Sequence, residues 1–84
     1  MVVERVREIP SGSVSTYADI DRVAPRRVGY VLATTQEELP WHRVVRSDGR
    51  PAMGERQLEL LRREGVPLRR DRVELTRARY TAGS

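Results

Sequence analysis

Proline and glycine cut this chain into short pieces, and that punctuation limits it to brief elements joined by turns. Pro10 stops the first apolar stretch, Pro25 separates the second from the third, Ser47-Asp48-Gly49 marks a turn, and Gly65 follows the last strongly periodic segment. No uninterrupted run is long enough for a helix of more than a few turns. Val2, Val3, Val6 and Ile9 keep helical spacing up to Pro10, and Ser11-Gly12-Ser13 then reads as a turn.

Thr16 followed three residues later by Asp19 fits a capping box. Tyr17, Ile20, Val23 and Ala24 continue at helical spacing, so a second helix is predicted from Thr16 to Ala24. Pro25 suits the first position of a third helix, whose apolar stripe is Val28, Val31 and Leu32; Arg26, Arg27 and Tyr30 fall largely on its other faces. Two short helices joined by a tight turn, the second opening with arginines, make a helix-turn-helix pattern. Thr34 to Leu39 is polar and reads as loop, Trp41 to Val45 as extended, and the segment from Gly49 to Gly54 as loop. A fourth helix is predicted from Glu55 to Glu64, with Leu58 and Leu61 inward and Gly65 as its cap. Val73 and Leu75 alternate with polar residues, which predicts a short strand, and Thr81 to Ser84 is expected to fray. One domain, residues 1–84, is expected, mainly α with a small β or extended element.

The chain contains no cysteine and one histidine. Disulfides, thiolate metal sites and a cysteine nucleophile are thereby excluded, and one histidine cannot supply a usual zinc ligand set, so neither metal nor cofactor is expected. No apolar run approaches a membrane span and the first seven residues carry Glu4, Arg5 and Arg7, so a soluble, cytoplasmic protein is the expectation. All sixteen basic residues are arginine, giving a net charge of +4. A genome rich in G and C would produce the same arginine bias. The positive field nevertheless favours a polyanion, and guanidinium groups fork onto phosphates and stack on bases.

Four aromatics and no phenylalanine leave little bulk for a core, so the single Trp41 could simply fill volume. Its neighbours carry more. Ile9-Pro10-Ser11-Gly12, Val14-Ser15-Thr16-Tyr17, Arg26-Arg27-Val28-Gly29, Pro40-Trp41-His42-Arg43-Val44-Val45 and Leu60-Leu61-Arg62-Arg63-Glu64-Gly65-Val66 resemble, in order, the DNA-binding domain of O6-alkylguanine-DNA alkyltransferases. The resemblance implies a helix-turn-helix, winged-helix-like DNA-binding domain of that type. In that family the residue between Pro and His is the alkyl-accepting cysteine, activated through a His and a Glu. Trp41 stands there, so the chain resembles the non-enzymatic, alkyltransferase-like branch, and an indole has no thiolate with which to attack an alkyl carbon.

The same resemblance implies roles for individual residues. Thr16, Tyr17, Arg26 and Arg27 would contact duplex DNA through the minor groove, with Tyr17 turning the target phosphate and Arg26, or its neighbour Arg27, entering the base stack. Pro40, Trp41, His42, Val45 and Met53 would line the pocket for an extruded O6-alkylguanine. His42 and Glu64, with no nucleophile to activate, would remain as a structural pair. Arg50, Met53 and Arg56 are candidates for closing the pocket. The stretch from Tyr17 to Arg26 is shorter than in typical family members, and the asparagine they carry before the Pro-x-His block is missing. A lesion sensor of this kind would be a monomer that marks damage for nucleotide excision repair proteins. A sequence-specific helix-turn-helix regulator is the alternative, and a protein-binding module anchored on Trp41 a third.

Overall fold

Thr16 opens the second helix through both halves of a capping box. Its Oγ1 accepts from the Asp19 N–H at 3.1 Å, and its own N–H donates to Asp19 Oδ2 at 3.0 Å. The computed structural model describes residues 2–80, so the fraying expected for Thr81 to Ser84 lies outside the described residues. In chain order the elements are α1 (Val2–Arg7), β1 (Ser15–Thr16), α2 (Tyr17–Ile20), α3 (Pro25–Thr34), a 3-10 turn (Trp41–Arg43), β2 (Val44–Val45), α4 (Glu55–Arg63), β3 (Leu68–Arg69), β4 (Arg72–Val73) and α5 (Leu75–Ala78).

Three predicted boundaries move, each for a local reason. The second helix stops at Ile20 instead of reaching Ala24, because Asp21 leaves the helical region at φ −145°, ψ 101° and its Oδ1 accepts from the N–H groups of Val23 and Ala24. Val23, expected on the apolar stripe, is consequently 94% exposed. Trp41–Arg43 coils into a 3-10 turn, so that only Val44 and Val45 of the predicted extended segment are strand. Leu75 starts a helical turn instead of continuing a strand, and the strand before it is half of an antiparallel hairpin that pairs Leu68 with Val73 and Arg69 with Arg72.

The β1–β2 pair positions the rest. These strands are parallel, Ser15 opposite Val44 and Thr16 opposite Val45, and so bring the residue before Tyr17 beside the residues after Trp41-His42-Arg43. Beneath them lie two clusters, Val6, Ile9, Ile20, Val28 and Val44 on one side and Val14, Val45, Leu61, Val66, Val73 and Ala78 on the other. Both are aliphatic, as a chain without phenylalanine requires. The C-terminal segment closes over β1: Val14 N–H donates to Ala78 O at 2.9 Å, Tyr80 N–H to Val14 O at 2.7 Å, and Arg79 forks onto Asp19 at 2.9 and 2.5 Å. That fork is the main cause of the lowered pKa of the Asp19 carboxyl, and it fastens the segment after α5 to the cap of α2.

Gly49 joins the turn after β2 to the hairpin. Its φ is +87°, its carbonyl accepts the Val73 N–H at 2.9 Å, and a Cβ there would be driven into the Val73 carbonyl oxygen. Gly49→Ala is expected to cost about 2 kcal/mol, from left-handed strain and loss of this docking bond, and to lower the melting temperature by roughly 10 °C in thermal denaturation.

Candidate nucleic-acid interface

A single half-buried carboxylate organises the turn that carries Trp41. Glu64, the C-cap of α4, receives His42 Nε2 at 2.7 Å on Oε2, Arg43 Nη2 at 2.7 Å on the same oxygen, Arg43 Nε at 3.0 Å on Oε1, and the Gly12 N–H at 3.3 Å on Oε1. Arg43 spends its remaining arm on Ile9 O at 3.0 Å. One fork thus ties the Trp41 turn to the end of α4 and the end of the α1 segment. The Arg43 guanidinium, with smaller help from His42 and Gly12, lowers the Glu64 pKa from 4.5 to about 2 against the opposing effect of burial. Because Glu64 is ionised at neutral pH and only accepts, Nε2 of His42 carries the proton of that bond.

Gln57 is the second organiser. Buried on α4, it donates from Nε2 to the carbonyls of His42 at 3.0 Å and Val44 at 2.8 Å, and accepts the Met53 N–H at 3.0 Å on Oε1. The loop before α4 is therefore locked to the carbonyl side of the Trp41 turn. Neither Arg43 nor Gln57 figured among the expected site residues. A signal for Gln57 was present: it lies four residues before Leu61, a polar side chain on the buried stripe of its helix.

Beside this scaffold an open hollow of about 410 Å³ is lined by Tyr17, Pro25, Arg26, Gly29, Tyr30, Arg46 and Ala52. Tyr17 and Arg26, expected together, meet there. Tyr17 is half-buried, and burial raises its hydroxyl pKa although the charge of Arg46 opposes the rise. Arg27 faces elsewhere, lining a different hollow with Val3, Ile20, Val23 and Val31. Pro40, Trp41 and His42 sit half-buried on the adjoining turn and do not line the 410 Å³ hollow; the Trp41 ring meets His42 edge-on, centroids 5.9 Å apart. Met53 is 66% exposed beside Ala52.

Two expected site residues belong to the interior instead. Thr16 is buried with its hydroxyl and N–H both used by the capping box, which leaves no surface for a DNA contact. Val45 is buried in the cluster with Val14 and Leu61, because the parallel register with Thr16 turns it into the core and away from any pocket.

A small helical domain with an arginine-bearing helix set beside a tyrosine and a hollow has the architecture of an alkyltransferase-type DNA-binding domain. Residues 1–66 match the family described as 6-O-methylguanine DNA methyltransferase, DNA binding domain, and the chain belongs to that family. It is 38% identical to Alkyltransferase-like protein 1 of Schizosaccharomyces pombe, over 80% of this chain and 74% of that one. A DNA base-flipping protein of Vibrio parahaemolyticus is 36% identical, over 73% of this chain and 72% of its own length. The chain spans only 28% of a 32% identical bifunctional methyltransferase/endonuclease from Picrophilus torridus. Among solved structures, that of S. pombe Atl1 in complex with damaged DNA containing O6-carboxymethylguanine superposes with a TM-score of 0.81 at 30% identity, covering 95% of this chain and 91% of the other.

Proposed function

We propose that this protein is a non-catalytic sensor of alkylated DNA. It binds duplex through the minor groove with α3, extrudes an O6-alkylguanine, fills the gap with Arg26, and holds the base between the Tyr17 hollow and Trp41. Acting as a monomer in the cytoplasm, it marks the lesion for nucleotide excision repair instead of reversing it. One observation carries the reading: His42 and Glu64 keep a 2.7 Å bond beside a position filled by Trp41, in a chain with no cysteine to receive an alkyl group. The activating pair stands without a nucleophile, while Tyr17 and Arg26, two of the residues that would handle DNA, line an open hollow.

The magnitudes are compatible with holding a base without reacting. Extrusion costs a few kcal/mol, less where alkylation has already weakened the pair, and stacking on one aromatic face returns about 1–3 kcal/mol. The relatives support the reading, one a DNA base-flipping protein and one crystallised in complex with damaged DNA containing O6-carboxymethylguanine. The test is equilibrium binding of matched duplexes with and without one O6-methylguanine at fixed salt. Tighter binding of the modified duplex, with the alkyl group still on the guanine after dissociation, is expected; equal affinities would sink the sensor reading.

A further inference from the structure

In the β3–β4 hairpin, Arg69 and Arg72 stand directly opposite each other. Like charges in that relation destabilise an antiparallel pair, and this pair has only two residues per strand with which to offset the cost. Relief within the protein is slight. Arg69 approaches Glu74 at 3.9 Å with its side chain 80% exposed, and among the described residues Arg72 and the tip residue Arg70 form no salt bridge. Arg70 also occupies the tip at φ 58°, a conformation usually left to glycine or asparagine. Three guanidinium groups in four residues outnumber the acids beside them, Asp71 at the tip and Glu74 in the groove, so the hairpin keeps a net positive charge and can receive anionic oxygen.

The hairpin's place in the fold identifies the anion. Arg69 and Arg72 line a groove with Asp48; Asp48 in turn shares a groove with Tyr17, Pro25 and Arg46, three of the residues that line the 410 Å³ hollow. Gly49, docked on Val73, holds the hairpin rigidly against this path. The Asp48 carboxylate lies between them, and Arg50 approaches it at 3.6 Å. A duplex seated at Tyr17 would therefore run its backbone toward the hairpin. We propose that Arg69 and Arg72, with Arg70 at the tip, form a phosphate clamp on the duplex backbone beside the nucleotide handled by Tyr17. The clamp rests on the DNA-binding part of the function proposed above but not on recognition of the lesion. It adds affinity without sequence or damage preference, as contacts to phosphate do.

The test is R69Q/R72Q in the full chain, titrated with unmodified and O6-methylguanine duplexes over a range of salt. Each lost phosphate contact removes about 0.9 from the slope of log affinity against log salt, so the slope should fall by about 1.8 and both affinities by roughly ten-fold, with their ratio unchanged. R69K/R72K should keep the slope. The free glutamine variant should melt no lower than the parent, because a cross-strand repulsion has been removed. An unchanged slope, a loss confined to the modified duplex, or an equal loss from R62Q/R63Q on α4 would each overturn the clamp. A parent chain that binds both duplexes equally but loses slope in R69Q/R72Q would leave the clamp standing and remove the lesion reading.

Discussion

Arg43→Met is expected to remove about 3 kcal/mol of stability at neutral pH, the cost of leaving a half-buried Glu64 carboxylate without its forked partner while an Ile9 carbonyl loses its donor. For a domain of this size, with a total stability of about 5–15 kcal/mol, that is a large share. The pH dependence supplies an independent check. Glu64 has its pKa lowered from 4.5 to about 2 in the folded state, so its contribution is fully present above 4.5 and is lost as pH falls toward 2. That difference corresponds to about 3 kcal/mol for all of the partners of Glu64 together, Arg43 contributing the largest part. Urea denaturation of parent and variant from pH 7 down to pH 2.5 should therefore show a wide gap at neutral pH that narrows through the acid range. A gap independent of pH would mean that Arg43 acts by packing its stem and not through Glu64. The same network fixes the turn that carries Trp41, so the variant should also lose part of its lesion affinity at temperatures where it remains folded.

The sequence carried this network only in outline. His42 and Glu64 were legible as a pair because the Pro-x-His block and the Glu-Gly helix end stand in the order of the alkyltransferase family. Arg43 was hidden, since in a chain with sixteen arginines one more beside a histidine gives no sign that it turns inward. Only the parallel register of Thr16 with Val45, formed across some thirty residues, decides that. That register also moved Val45 from the expected pocket into the core. Capping and turn residues were the most readable features: Thr16 with Asp19, Pro25 at the start of α3, and Gly65 after α4 act through neighbours a few residues away. Helix ends fixed by a less obvious competitor were not. Asp21 ended α2 four residues early by taking two backbone N–H groups, and Thr16 lost its expected role at the surface because the cap that made it recognisable also consumed it.

The hollow shows the same division between order along the chain and assembly in space. Tyr17 and Arg26 were expected together from the family's motifs, and they meet; Tyr30, already placed off the apolar stripe of α3, shares the hollow with them, as does Arg46, which no local pattern marked. Tyr30 is four residues after Arg26, one turn along the same face of α3, and is 70% exposed. Its partners come from the loop at residue 52, which Gln57 holds in place from inside α4. Side chains that converge from α2, α3 and the segment between β2 and α4 have no single spacing to read.

Arg26→Ala is expected to weaken binding to an O6-methylguanine duplex by about 30- to 150-fold while weakening an unmodified duplex much less. The asymmetry follows from what the arginine does. On intact DNA, Arg26 supplies at most a phosphate or groove contact, worth one step of the salt slope. In the proposed complex with the modified duplex it would fill the space left by the extruded base, offsetting an unstacking cost of a few kcal/mol, and its loss would return about 2–3 kcal/mol of that cost to the complex. Arg27→Ala is the matched control. Since Arg27 lines a different hollow with Val23 and Val31, it should shift both duplexes by the same small factor. A 2-aminopurine placed at the target position makes the extrusion itself visible: its fluorescence should rise with the parent chain and with Arg27→Ala, and rise far less with Arg26→Ala. Tyr17→Ala should share the Arg26 phenotype, because both side chains line the hollow toward which the nucleotide would turn. If Arg27→Ala instead abolished the fluorescence change, the inserted residue would be the one lining the other hollow, and the receptor for the base would have to be sought beside α1.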